Sequence, residues 1–199
     1  MKNKVLIDSV IAETLRQPTS NEVDITAAVA ITMKQKRAGL FQNEVDYRIL
    51  APSFKSLEND CHASSAYRAD LVGYSKSGFT VAEFKIYDEH KRTKNPWGVL
   101  HFLRRDVAKL DALAKSPNRL WGDLYSIIAI RNTDFDPGYE QQKSMLRAVE
   151  SKDKKPQLRG FRYYPILLVL ETFLKRKVKW DVEIVTKNET AFLIARRQL

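Results

Sequence analysis

Two periodicities along this chain predict an α/β (α+β) domain, a mixed central β-sheet flanked by α-helices. Apolar residues recur at helical spacing near 4–16, 20–37 and 98–115. Alternating or continuous apolar runs mark strands near 43–50, 67–74, 79–86, 125–130 and 178–194. A length of 199 residues and a hydrophobic share of 44% suit one domain, 1–199, with a core of ordinary size.

Val5, Ile7, Val10, Ile11 and Leu15 give the first stretch its apolar helical face, and Pro18 ends it. Thr19 or Ser20 is expected to cap a second helix, whose first turn carries Glu22 and Asp24, where acids complement the helix dipole. Ala27, Ala28, Ile31 and Met33 carry that helix to about Arg37, and Gly39 stops it. Residues 43–50 alternate polar and apolar as a strand, and Pro52 to Ser65 is polar and irregular.

Tyr67 to Tyr74 and Phe79 to Ile86 then read as a hairpin, joined by the small polar turn Ser75-Lys76-Ser77-Gly78. A basic loop, 88–96, leads into a helix of about 98–115 with Leu100, Leu103, Val107, Leu110 and Leu113 on one face. Tyr125 to Ile130 is a continuous apolar run, expected as a buried strand. Asp136-Pro137-Gly138 is a turn, 139–150 reads as helix, and 151–159 as a charged loop. Tyr163 to Leu174 is apolar, but Pro165 argues against a helix through it and its type stays open. Val178, Trp180, Val182 and Ile184 alternate, then residues 186–189 turn into Ala191 to Ile194, so a C-terminal hairpin is expected over about 178–197.

Lysine and arginine total 34 against 24 acids, a net charge of +10, which favours a polyanionic partner. Basic clusters fall at 34–37, at Lys91-Arg92-Thr93-Lys94, at Arg104-Arg105, at 175–177 and at Arg196-Arg197; each alone is explained by a solvated face. No apolar run is long enough for a membrane span, and residues 1–8 lack the apolar segment of a signal peptide. Cys61 is the single cysteine, which excludes an intramolecular disulfide and suits a reducing cytoplasm. Cys61-His62 lacks the partners a zinc site needs.

The hairpin carries the chemistry. Side chains alternate along a strand, so Glu83 and Lys85 share a face. With Lys76 and Ser77 at the tip, Asp70 lies opposite Glu83, and all three charges join Val72, Tyr74, Phe79 and Val81 on one surface. A slip of two positions pairs Asp70 with Lys85 and keeps that face; a slip of one disperses it. Two carboxylates so close, and partly apolar in surroundings, repel unless a cation joins them. Mg²⁺ is commonly held by one or two carboxylates, with waters and phosphate oxygens filling its octahedron. Lys85 would stand beside it to orient or help deprotonate an attacking water and to neutralise phosphate charge.

Ala69-Asp70 followed by Glu83-Phe84-Lys85 on an apolar strand resembles the PD-(D/E)XK nuclease superfamily, with alanine in place of the proline before the acid. The resemblance implies a restriction-endonuclease-like fold, with the likeness extending over a core of about 20–130. It implies that Asp70, Glu83 and the backbone carbonyl of Phe84 bind Mg²⁺, for which Mn²⁺ substitutes, and that Lys85 acts on the water. An additional acid often comes from the first core helix in that family. Glu22 fits best, with Glu44 and Glu13 as rivals and dipole complementation as its plain alternative. Lys109 and Arg105 on the following helix, with Lys91 and Arg92 in the loop before it, are candidates for phosphate contact. A second Glu-x-Lys, Glu150-Ser151-Lys152, sits in a polar run without strand pattern and is explained as solvated loop.

The expectation is a metal-dependent endodeoxyribonuclease of the cytoplasm, acting on DNA in preference to RNA, as a homodimer or within a larger nucleoprotein assembly. The alternative is a catalytically inactive nucleic-acid-binding or assembly protein of the same fold. A third reading is a basic α/β protein whose charged hairpin simply faces water. No helix-turn-helix, zinc finger or aromatic single-strand platform stands out, so sequence specificity is not legible.

Overall fold

The computed structural model describes residues 3–50, 68–75, 78–88, 96–115, 122–131, 170–171, 173–188 and 190–199. Lys91, Arg92, Cys61, His62, Glu150 and the expected helix 139–150 lie outside the described residues. Helix α1 (Lys4–Arg16) and helix α2 (Glu22–Gln35) precede strand β1 (Leu40–Asp46) and the short helix α3 (Tyr47–Leu50). Strands β2 (Arg68–Ser75) and β3 (Gly78–Asp88) form the central hairpin, followed by α4 (Pro96–Ala114) and β4 (Gly122–Arg131). A π-helical turn, Phe173–Val178, leads to β5 (Asp181–Lys187) and β6 (Thr190–Gln198).

The six strands form one sheet in the order β1-β2-β3-β4-β6-β5. Only β3 and β4 run parallel, and α4 lies between them in sequence, as a parallel pair requires a crossover. This is the mixed sheet with flanking helices that the periodicity predicts. Among the described residues no helix is long and apolar enough to cross a membrane.

Alternation along β3 divides the core into two layers. Ala82 and Phe84 pack with Leu6, Ile25, Val29 and Met33 of α1 and α2. Val81 and Tyr87 pack with Leu103, Val107 and Leu110 of α4. Glu83 belongs to the second set by parity, which carries its carboxylate into an apolar layer.

Several boundaries differ from expectation for local reasons. Asn21, not Thr19 or Ser20, caps α2, its Oδ1 accepting the Asp24 N–H at 2.9 Å. The first strand runs 40–46 rather than 43–50, since Asp46 Oδ1 accepts the Arg48 N–H at 2.8 Å and turns the chain into α3. Val178 and Trp180 precede β5, because the Trp180 N–H bonds back to the Leu174 carbonyl and closes the helical turn. Gly122 opens β4 with φ +152; a Cβ there would lie 1.8 Å from the Phe79 carbonyl oxygen, so only glycine fits.

Candidate active site

The β2–β3 ladder runs from Ser75 opposite Gly78 to Leu71 opposite Ala82, the register that aims Asp70 at Glu83. Beyond Ala82, carboxylates take over from the neighbouring strand. Asp70 Oδ2 accepts the Phe84 N–H at 2.6 Å, and Glu22 Oε1 accepts the Ile86 N–H at 3.1 Å. Residues 82, 84 and 86 present their N–H groups to the same edge, so the two acids continue the row that β2 leaves. Glu44 holds a left-handed φ of 55 at the level of Asp70 on β1, a costly conformation for a residue with a Cβ. The sheet is thus opened at Asp70, and the first residue of α2 reaches into the fork.

Lys85 fills that fork. Its Nζ lies 3.2 Å from Glu22 Oε2, 3.4 Å from Asp70 Oδ2 and 3.2 Å from the Phe84 carbonyl oxygen. Burial alone would lower its pKa, but the charges of Asp70, Asp106 and Glu22 outweigh burial and hold it well above its ordinary value. The group is an ammonium at neutral pH.

Under the fork lies a second, drier cluster. Glu83 is 1% exposed, and its Oε1 accepts a short hydrogen bond from the Tyr47 hydroxyl. Its Oε2 stands 2.9 Å from Lys109 Nζ as an ion pair without hydrogen-bond geometry. Lys109 also pairs with Asp106 Oδ1 at 3.2 Å. Burial pushes the Glu83 carboxyl well above the carboxylate range, Asp70 and Asp106 add to the shift, and Lys109 and Lys85 oppose it. Burial would lower Lys109, yet Glu83 and Asp106 together raise it. Two acids share one ammonium here.

These positions answer the expectations residue by residue. Glu22, Asp70, Lys85 and the Phe84 carbonyl converge; Glu83 lies beneath them, engaged by Tyr47 and Lys109. Lys109, expected as a candidate phosphate contact, is buried at 8% exposed and pairs with Glu83 and Asp106. Arg105 is half-buried on α4. Of the rivals to Glu22, Glu44 pairs with Arg68 at 3.9 Å. Glu13 bonds Arg16 and Gln17 and reaches Thr32 Oγ1 at 2.9 Å, tying α1 to α2.

Two residues of the site, Asp106 and Tyr47, escaped sequence reading, and Lys109 was read only as a candidate phosphate contact. Asp106 and Lys109 had a signal, since Asp106 falls in the helical stripe of Leu103, Leu110 and Leu113, where a charge must have a partner. Tyr47 had none, as nothing local marks a hydroxyl that bonds 36 positions away.

The Asp70 carboxylate and the Phe84 carbonyl around one ammonium, with Glu22 against the same ammonium, offer hard oxygens that could take Mg²⁺ or Mn²⁺. Glu83 Oε2, Asp106 Oδ2 and Ser126 Oγ are buried without a hydrogen-bond partner among the described residues, and Ser126 is the β4 neighbour of Glu83. Of these, the Glu83 oxygen is the one that the hairpin register brings toward Asp70, and an orphaned carboxylate oxygen there fits a site that takes a cation. Among the described residues, no three acidic, histidine or cysteine side chains are grouped to hold one ion by themselves. No family model, curated protein or solved structure matches the chain.

Proposed function

We propose that this chain is a divalent-metal-dependent nuclease that hydrolyses phosphodiester bonds, in DNA more than in RNA. The observation that carries the reading is the fork, where Asp70 Oδ2, Glu22 Oε2 and the Phe84 carbonyl surround a single cationic group. Asp70 and the Phe84 carbonyl would hold Mg²⁺, with Glu83 behind them as the third donor after release from Lys109. The ion, when bound, supplies a water of lowered pKa and offsets charge on the phosphate.

The chain's own groups do the rest. Lys85, an ammonium in the metal-free fork, would donate to a phosphate oxygen and stabilise the charge that grows in the transition state. Glu22 Oε2 accepts the proton of the attacking water. The water oxygen bonds to phosphorus, the bond to the leaving oxygen breaks, and solvent reprotonates that oxygen. A net charge of +10 supports polyanion binding through salt-sensitive phosphate contacts. A cytoplasmic setting and a dimer that cuts both strands belong to the same reading.

A second reading, a binding or assembly protein without hydrolysis, draws on one observation: Asp70, Glu22 and Glu83 already have a lysine partner. Purified protein incubated with plasmid, branched, nicked and single-stranded DNA separates the two. Cleavage with Mg²⁺ or Mn²⁺, abolished by chelator and by Asp70→Ala or Lys85→Ala with the fold intact, supports the nuclease. Activity that survives both substitutions sinks it, and salt-dependent binding with no cleavage favours the second reading.

A further inference from the structure

The Lys85 side chain does not extend from its strand. It folds back until Nζ lies 3.2 Å from the carbonyl of the preceding residue, Phe84. Two carboxylate oxygens complete the shell, at 3.2 Å from Glu22 and 3.4 Å from Asp70. The backbone anchors both acids, through the N–H groups of Phe84 and Ile86, so the oxygens stay in place whichever cation they face. Asp70 Oδ2 and the Phe84 carbonyl oxygen are the two that a hard divalent ion would use. An ion bound at about 2.1 Å from them leaves no room for an ammonium against the same atoms, and at that range two cations repel strongly.

Resting on the nuclease reading, we infer that Lys85 is an internal placeholder: its ammonium occupies the cation seat when no metal is bound and is displaced outward, toward the phosphate, when the metal enters. Ordering follows from this exchange. The flexible four-carbon stem lets Lys85 serve both positions, which the planar fork of arginine would not. Without metal, the lysine that serves the phosphate is locked away, and the fork stays charge-balanced. With metal, the same oxygens release it.

The direct test labels lysine amines of the full chain by reductive methylation, with and without saturating Mg²⁺, and reads each site by mass spectrometry. Lys85 labelling is expected to rise at least about threefold with Mg²⁺, following the binding curve, since an amine freed from two ion pairs becomes accessible. Calorimetry with Mn²⁺ supplies the second arm. Lys85→Met should bind Mn²⁺ about tenfold or more tightly than wild type, since no competitor remains in the seat, while losing cleavage. Lys85→Gln provides the same comparison if the methionine variant fails to fold.

Metal binding with Lys85 labelling unchanged or reduced overturns the exchange, as does unaltered Mn²⁺ affinity in both variants. Neither result touches the nuclease reading if wild type still cuts DNA. Wild type that binds no Mn²⁺ and cuts nothing removes both.

Discussion

Lys109→Met offers a quantitative test of the buried cluster. The wild-type Lys109 side chain is 11% exposed, and its ammonium serves two carboxylates, Glu83 at 2.9 Å and Asp106 at 3.2 Å. Methionine preserves the stem's packing and removes only the charge. Leaving a buried ion without its partner costs about 3–5 kcal/mol, the lower end applying if Glu83 takes up a proton. For a chain of this size, that lowers Tm by roughly 6–20 °C. Urea unfolding followed by tryptophan fluorescence measures the difference, and an unchanged m-value confirms that the two transitions are comparable. A Glu83→Gln substitution added to Lys109→Met should recover about 1–2 kcal/mol, because the amide carries no charge and still accepts from Tyr47. A solvent-facing lysine would instead cost at most about 0.5 kcal/mol. Such a small loss, or strict additivity in the double variant, would refute the shared ion pair.

Other substitutions probe the parts that position the site. Tyr47→Phe leaves Glu83 Oε1 without its donor and should cost about 1–3 kcal/mol in the same unfolding assay. Gly122→Ala meets the Phe79 carbonyl at a φ that excludes side chains, so a loss of at least about 2 kcal/mol is expected by thermal melting. Arg131 donates to the carbonyls of Thr14, Gln17 and Pro18, holding the connection between α1 and Glu22; Arg131→Met should lower stability by about 2 kcal/mol and weaken Mn²⁺ binding by calorimetry. The Arg48 side chain and N–H hold the Asp46 carboxyl down to about 2. Its folded pKa lies below the unfolded value of about 3.9, so its contribution is present above pH 4 and lost as pH falls toward 2. The stability gap between wild type and Asp46→Asn, under about 1 kcal/mol for so accessible a pair, should close over that window.

What could be read from sequence was local. The period of 2 in Val81, Glu83 and Lys85 and the turn at 75–78 left two registers that keep the charges on one face, and the folded hairpin takes the one that aligns Leu71 with Ala82. Glu22 was legible as a first-turn acid, and its place at the end of β3 follows from α2 packing across the sheet. The roles of Lys109 and Asp106 required knowing which face of α4 meets β3, a tertiary fact that helical period alone leaves open. The cap shifted to Asn21 because several adjacent residues can accept the same N–H, and packing of α2 selects among them. Tyr47 shows the limit most plainly, since its partner is fixed only when β1, β2 and β3 have assembled.

The most direct test of the central claim is a crystal of the protein grown with Mn²⁺ and measured for anomalous scattering. A single strong peak is expected, bounded by Asp70, the Phe84 carbonyl and an oxygen of Glu83, with Lys85 Nζ no longer in contact with Phe84. A fork that shows no peak at saturating Mn²⁺, with Lys85 still seated between Asp70 and Glu22, would contradict it.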